Sequence, residues 1–298
     1  MIERKTTATI TAILFMLPAA IVLVTFVYGP LVSSFGYSLF SFKNFAPDVF
    51  IGLNNFREAF ADQLFRNSIM LTFQWVLLNT LFPSTVGLIL ALLMELFTKR
   101  RLFTEVSRTI LFMPMMMSLV SVGLLWRLIY DSNIGIITGV LRWAGVTVRF
   151  NAFSNPKTAL MVSYLPVLWQ GSGFSMVIFS AALQGIPRDI IEASMVEGTS
   201  KLQQVKSIFI PMIIGTIMMV LMVNMISGFK AFDLLYVLTR GGPGASTNIT
   251  AIYAYNQAFW SYRFEYASAI MVTLFLSVIV FLALFTSVSR VITRKFDA

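Results

Sequence analysis

The segment Trp169-Gln170-Gly171-Ser172-Gly173-Phe174-Ser175 sets aromatic rings beside an amide inside a run without charge. A second such place is Asn224 to Lys230, with Ser227 and Gly228 between them, followed by Asp233. Rings beside amides are what a sugar wants. Its apolar C–H faces stack on rings such as Trp169 or Phe174, and its hydroxyls bond to amides such as Gln170 and Asn224. A buried amide costs free energy unless it is hydrogen-bonded, and facing a hydrated path satisfies it. The small Gly171, Ser172 and Gly173 read first as close helix packing in lipid. Lys230 and Asp233, at i and i+3 of one helix, are expected to pair at the outer rim. If Lys230 instead points into the path, an acidic or phosphorylated sugar becomes plausible.

Other chemistries lack their residues. The 298-residue chain has no histidine and no cysteine, which removes Ser-His and Cys-His nucleophilic pairs, the commonest metal ligand and disulfides. The phosphate-cradling pattern Gly-x-x-x-x-Gly-Lys-Ser/Thr is absent, so the chain is not expected to hydrolyse ATP itself. An ion-driven carrier wants carboxylates inside its spans. Glu95, at the end of the second apolar window, reads as an interfacial charge beside Lys99 or Arg100 rather than as a coupling carboxylate. With no paired intramembrane carboxylates, an intramembrane enzyme is the weakest reading.

These residues need elements to position them, and composition says which kind. The chain is 57% hydrophobic and 12% charged, against about 45–50% and about 25% in ordinary soluble domains. So much apolar surface requires lipid as solvent. The net charge of +9 comes from basic residues at the ends of apolar segments rather than from a patch suited to nucleic acid.

Six charge-free windows are long enough for a helix of about 20 residues: Thr6 to Phe42, Asn67 to Met94, Thr109 to Trp126, Thr158 to Pro187, Ser207 to Phe229 and Tyr266 to Ser289. They predict an all-α membrane domain over 1–298, with spans near 9–29, 68–94, 107–130, 158–184, 207–230 and 267–289. A seventh window, Gly241 to Tyr262, opens on Gly-Gly-Pro-Gly, which is turn chemistry rather than a span. The apolar run from Ala8 to Tyr28 exceeds a secretory signal core of about 7–15 residues and is expected to stay as an anchor. The segments 1–8, 98–108, 185–206 and 290–298 hold two, four, three and three Lys/Arg, about threefold denser than the alternate loops. Short basic loops face the cytoplasm, so both termini are expected there. The first outer loop, from Phe50 to Phe65, reads as amphipathic, with a short helix through Arg57 to Phe60 and rings suited to the headgroup region.

On the basic side lies the stretch Pro187 to Pro211. Pro187 and Asp189 suit the first turn of a helix, and Gly198 suits its end. Leu202, Val205, Ile208 and Phe209 then recur at three- and four-residue spacing. The prediction is helix, tight turn, helix over 187–206. Such a pair of amphipathic helices either fits a partner's groove or lies along the bilayer.

Glu192-Ala193-Ser194, Glu197, Gly198, Ile208 and Pro211 resemble the Glu-Ala-Ala loop of permease subunits of ATP-binding-cassette importers. Ser194 stands for the usual second alanine and Glu197 for the usual aspartate. Leu17-Pro18, Gly29-Pro30, Ile51 to Phe56, Gly123 to Trp126 and Thr239-Arg240-Gly241-Gly242-Pro243 are similar to elements of the carbohydrate-uptake branch, in the subunit type of the maltose-transporter permease. The resemblance covers nearly the whole chain. It implies residence in a bacterial cytoplasmic (inner) membrane, a second permease, two ATPase subunits that hold the ATP and Mg, and an extracytoplasmic solute-binding protein. It assigns Glu192 to Pro211 to ATPase coupling, and Gly241, Gly242, Pro243 and Thr247 to contact with the binding protein. Sugar-lining positions carried over by the resemblance fall at Val167, Gln170, Gly171, Phe174, Asn224, Ser227, Gly228 and Ala231. The alternative is an ATP-independent ion-coupled carrier or membrane scaffold whose central loop rests on the bilayer.

Overall fold

The structure is a computed structural model describing residues 2–97, 101–145 and 151–297; Lys99 and Arg100, invoked beside Glu95, lie outside them. The chain opens with α1 (Ile2–Leu23), a π-turn (Val24–Tyr28) and α2 (Gly29–Tyr37), so the first apolar helix runs past the expected end near residue 29. Pro30 does not stop it because it falls at the start of α2, where no hydrogen bond from its nitrogen is needed.

A two-stranded antiparallel hairpin then departs from the all-α expectation. It pairs β1 (Phe40–Lys43) with β2 (Ala46–Phe50). Asn44 and Phe45 both take positive φ, 52° and 62°, as a two-residue hairpin loop whose twist matches the strands requires. Asn55 locks the hairpin to the next helix, α3 (Asn54–Ala61), by donating to the carbonyls of Ser38 and Phe40 at 2.9 and 3.0 Å.

The remaining helices are α4 (Gln63–Phe97), α5 (Arg101–Phe112), α6 (Leu119–Ile129), α7 (Ile136–Trp143), α8 (Pro156–Val162), α9 (Tyr164–Gln184), α10 (Arg188–Val196), α11 (Lys201–Gln204), α12 (Ile210–Met212), α13 (Ile214–Phe229), α14 (Asp233–Thr239), α15 (Thr250–Phe259) and α16 (Phe264–Asp297). Among the described residues, four stretches are long and apolar enough to cross a membrane: Ile13–Tyr37, Gln63–Phe97, Pro156–Gln184 and Phe264–Lys295. Two more qualify only as bent pairs. Thr104–Met116 meets Leu119–Ile129 at 99°, and Lys201–Met212 meets Ile214–Phe229 at 71°. The expected continuous span 107–130 is therefore broken. Pro114 sits in a 3-10 turn (Met113–Met116), and Ser118 in extended conformation caps α6 by accepting from the Ser121 N–H at 3.2 Å. Just past α6, two backbone N–H groups, of Ile134 and Asn133, hold the Asp131 carboxylate below its ordinary pKa.

By contact density the chain forms two units. One comprises residues 1–66 and 254–275, the other 67–253 and 276–298. Within the first, Arg263 pairs with Glu58 at 2.7 Å and the Tyr266 hydroxyl donates to Asp62 at 2.9 Å. The second has two apolar cores. One gathers Trp75, Val122, Leu160, Leu235, Ile249 and Ile252 from five helices and a loop. The other gathers Ala91, Met176, Phe179, Leu183, Phe209 and Ile213. Outward faces carry large apolar residues such as Phe15, Phe26, Leu128 and Leu284, the arrangement expected where lipid replaces water as solvent.

Candidate functional site

The sugar-type chemistry converges on one cavity of about 80 Å³ in the second unit. Six of the expected positions line it: Val167, Gln170 and Gly171 from α9, Asn224 and Ser227 from α13, and Ala231 just after. The four others lie elsewhere. Trp169 is 40% exposed and meets Trp126 edge-on at 6.1 Å. Phe174 is half-buried outside the lining, and Lys230 is exposed. Gly228 is buried where α13 crosses α4, because a Cβ there would come within 3.0 Å of the Val76 Cα.

The two amides are satisfied by protein rather than by a wet path. Asn224 is 6% exposed, and its Nδ2 donates to Ser84 Oγ at 2.8 Å and Ser175 Oγ at 3.1 Å. Asn79 of α4 donates to the Asn224 carbonyl at 2.6 Å. This network ties α4, α9 and α13 together at the cavity wall. Gln170 Nε2 donates to the Met117 carbonyl at 2.8 Å, which the break before α6 leaves outside the helical ladder. Gly173 serves the same junction, since a Cβ would lie 2.2 Å from the Leu111 carbonyl oxygen. The expected packing role of the small residues is thus met at Gly173, while Gly171 both packs on Pro83 and lines the cavity.

Lys230 and Asp233 form no ion pair, which corrects the expectation. They do not share a helix: α13 ends at Phe229, Phe232 turns to φ −146°, ψ −59°, and Asp233 begins α14. The spacing that pairs side chains on a helix does not apply across such a break.

The lining also uses Trp75, Asn79 and Pro83 of α4 and Leu119 of α6, which the sequence reading passed over. Asn79 carries the same signal as Asn224, an amide in a charge-free window, here the second.

The central stretch folds as a helical hairpin. Helix α10 ends at Val196, Gly198 takes φ +76°, and Ser200 opens α11 with a reciprocal capping box to Gln203. A π-turn (Val205–Phe209) then carries the chain into α12. Ser194, the departure from the resembled motif, is buried at 6% and accepts from Gln204 Nε2 at 3.0 Å, closing the hairpin. Phe209 anchors it in the second apolar core, with Ile208 and Pro211 half-buried alongside. Glu192, Ala193 and Glu197 face outward, and so do Met195, Val196 and Leu202, at 58%, 89% and 63% exposed. Lys201 Nζ donates to the Leu96 carbonyl at 2.7 Å and sits 4.0 Å over the Phe97 ring, fixing the hairpin to the end of α4. A polar cavity of about 470 Å³ opens at its base, with Glu95, Glu105, Arg108 and Arg188 in its walls.

The loop 240–249 is held from inside. Gly241 has φ +89°, and Thr247, fully buried, donates to the Gly242 carbonyl at 2.8 Å and bonds Thr239 Oγ1 at 2.6 Å. Thr72 of α4 accepts from the Thr250 N–H at 2.9 Å. Gly242 and Pro243 are half-buried and Gly244 is exposed. Thr247 therefore shapes the loop rather than forming its surface.

Residues 84–298 match the family described as binding-protein-dependent transport system inner membrane component. The chain is 32% identical over 270 residues to a probable ABC transporter permease protein, PH1215, of Pyrococcus horikoshii, covering 90% of this chain and 91% of that protein. It is 28% identical to the trehalose/maltose transport system permease protein MalF of Thermococcus litoralis, covering 93% and 92%. Its fold is similar to a chain of a bacterial alginate ABC transporter solved in complex with an alginate pentasaccharide-bound periplasmic protein. That match has a TM-score of 0.84 and 22% identity, covering 98% of this chain and 97% of that one.

Proposed function

Because the chain belongs to the family of binding-protein-dependent transport system inner membrane components, it is the permease subunit of an ABC importer and not the ATPase, and we propose that it carries a sugar, oligosaccharide or sugar derivative across a bacterial inner membrane. The observation that carries the substrate class is the cavity in which Gln170, Asn224 and Ser227 meet among apolar and aromatic walls. Similar proteins named for trehalose/maltose and for alginate transport support it.

In this reading six spans cross the membrane, each bent pair counting as one, with both termini and the helical hairpin 187–206 in the cytoplasm. One of two ATPase subunits binds the exposed apolar and acidic face of α10, with contacts from Glu192, Ala193 and Glu197. Their ATP-driven closure moves the hairpin, and Phe209, Ile208 and Pro211 pass the movement to the helices around the cavity, giving alternating access. A second permease completes the path, and the loop Gly241 to Gly244, propped by Thr247, meets the binding protein. The test is affinity purification from mild detergent with identification of the co-purifying subunits and an ATPase assay. A second permease and an ATPase, with hydrolysis raised by sugar-loaded binding protein, are the expected result. Recovery of the chain alone, under conditions that preserve complexes, would sink the reading.

A further inference from the structure

Two aromatic rings beside the cavity hold buried polar atoms with no partner. Trp75 Nε1, on a residue 1% exposed, and the Tyr164 hydroxyl each lack any hydrogen bond. Buried Trp and Tyr normally find a partner for that atom. The two rings stack, with centroids 4.5 Å apart and planes 21° from parallel. Trp75 lines the 80 Å³ cavity, and Tyr164 lines a second cavity of about 150 Å³. Asn79, Pro83 and Val167 belong to both walls, so the stacked pair stands where the two spaces share a boundary.

An unpaired buried donor disfavours the packed arrangement by about 5- to 150-fold relative to one in which it is satisfied. Both donors therefore weight the balance toward an arrangement in which these helices part. Resting on the permease reading above, we propose that Trp75 and Tyr164 form a sugar-binding station on the path: on opening, the indole N–H and the phenol O–H donate to hydroxyl oxygens of the passing sugar. Neither residue belongs to the fourth- and fifth-span set expected from sequence except by neighbourhood. The station gives the α4 wall of the cavity a part in binding, and it selects for ligands rich in acceptor oxygens over apolar ones.

The test uses the complex reconstituted with its partner subunits and binding protein, with maltose, trehalose and alginate pentasaccharide as probes. Tyr164→Phe keeps the ring and removes the donor, and Trp75→Phe removes the donor while replacing the indole with a smaller ring. Sugars imported per ATP hydrolysed are expected to fall about tenfold in each, with thermal stability kept in Tyr164→Phe and lowered in Trp75→Phe by the volume lost from the core. A wild-type ratio in both variants overturns the proposal, and so does a loss of uptake in Tyr164→Phe that follows a loss of stability. A second arm needs no sugar. The chain has no cysteine of its own, so Trp75→Cys and Tyr164→Cys report accessibility to a water-soluble methanethiosulfonate. Reaction about tenfold faster during ATP turnover than at rest supports the station, and no reaction in either condition overturns it. If the wild type carries none of the three sugars, the substrate reading falls, and the thiol arm decides the station by itself.

Discussion

Asn224 shows how a residue can be found by the right argument and given the wrong partner. An amide in lipid must be satisfied, and sequence alone offered a wet path. The structure offers Ser84 and Ser175, and in return the Asn224 carbonyl serves Asn79. Asn224→Ala removes both side-chain bonds while leaving the Asn79 contact to the backbone. It is expected to destabilise the detergent-solubilised chain by about 1–3 kcal/mol, measured by thermal or denaturant unfolding. Asn224→Asp retains acceptors but loses the two donors, and the same loss is expected from it. Unchanged stability in both would mean that the network contributes nothing to holding α4, α9 and α13 together. Gln170 repeats the lesson, since its partner, the Met117 carbonyl, exists only because the helix breaks there.

Among elements, the hairpin α10 to α12 was the most legible, because its signals are local: a proline before the first turn, Asp189 in it, a glycine at the turn and apolar residues at helical spacing after it. Gly198 at φ +76° makes a direct test. Proline is locked near φ −65°, so Gly198→Pro is expected to leave membrane insertion intact and abolish both uptake and ATPase stimulation by the loaded binding protein. Gly198→Asn, which tolerates the left-handed region, is expected to keep both. Wild-type transport by the proline variant would refute the coupling role. Less local features were not legible. The break at Met113–Met116 hides in a window that counts charge alone, although Pro114 was in plain view. The β-hairpin was missed because Pro47 falls within the second strand and the two-residue turn is Asn44-Phe45, without the glycine that marks such turns. The Lys230–Asp233 pairing failed because helical spacing was carried past the end of α13.

At the scale of the whole chain, lipid as solvent was forced by composition, and the structure answers with long apolar helices whose outward faces carry Phe15, Leu128 and Leu284. Length and composition leave the number of crossings between four and six, depending on whether each bent pair is one span. The proposed six crossings rest on charge, because with six the four Lys/Arg-dense segments fall on one face and the sparser ones on the other. The bend of 71° between Lys201–Met212 and Ile214–Phe229 suits a hairpin whose first arm stays outside the hydrocarbon and whose second arm crosses it. The native absence of cysteine permits a clean count. Single cysteines at Thr6, Asp48, Gly198, Gly244 and Ser289, probed in intact cells by a membrane-impermeant maleimide, are expected to split into two groups. Asp48→Cys and Gly244→Cys react from outside, while Thr6→Cys, Gly198→Cys and Ser289→Cys react only after permeabilisation. Labelling of Gly198→Cys in intact cells would put the hairpin on the face opposite any cytoplasmic ATPase and overturn the six-span arrangement together with the coupling role that depends on it.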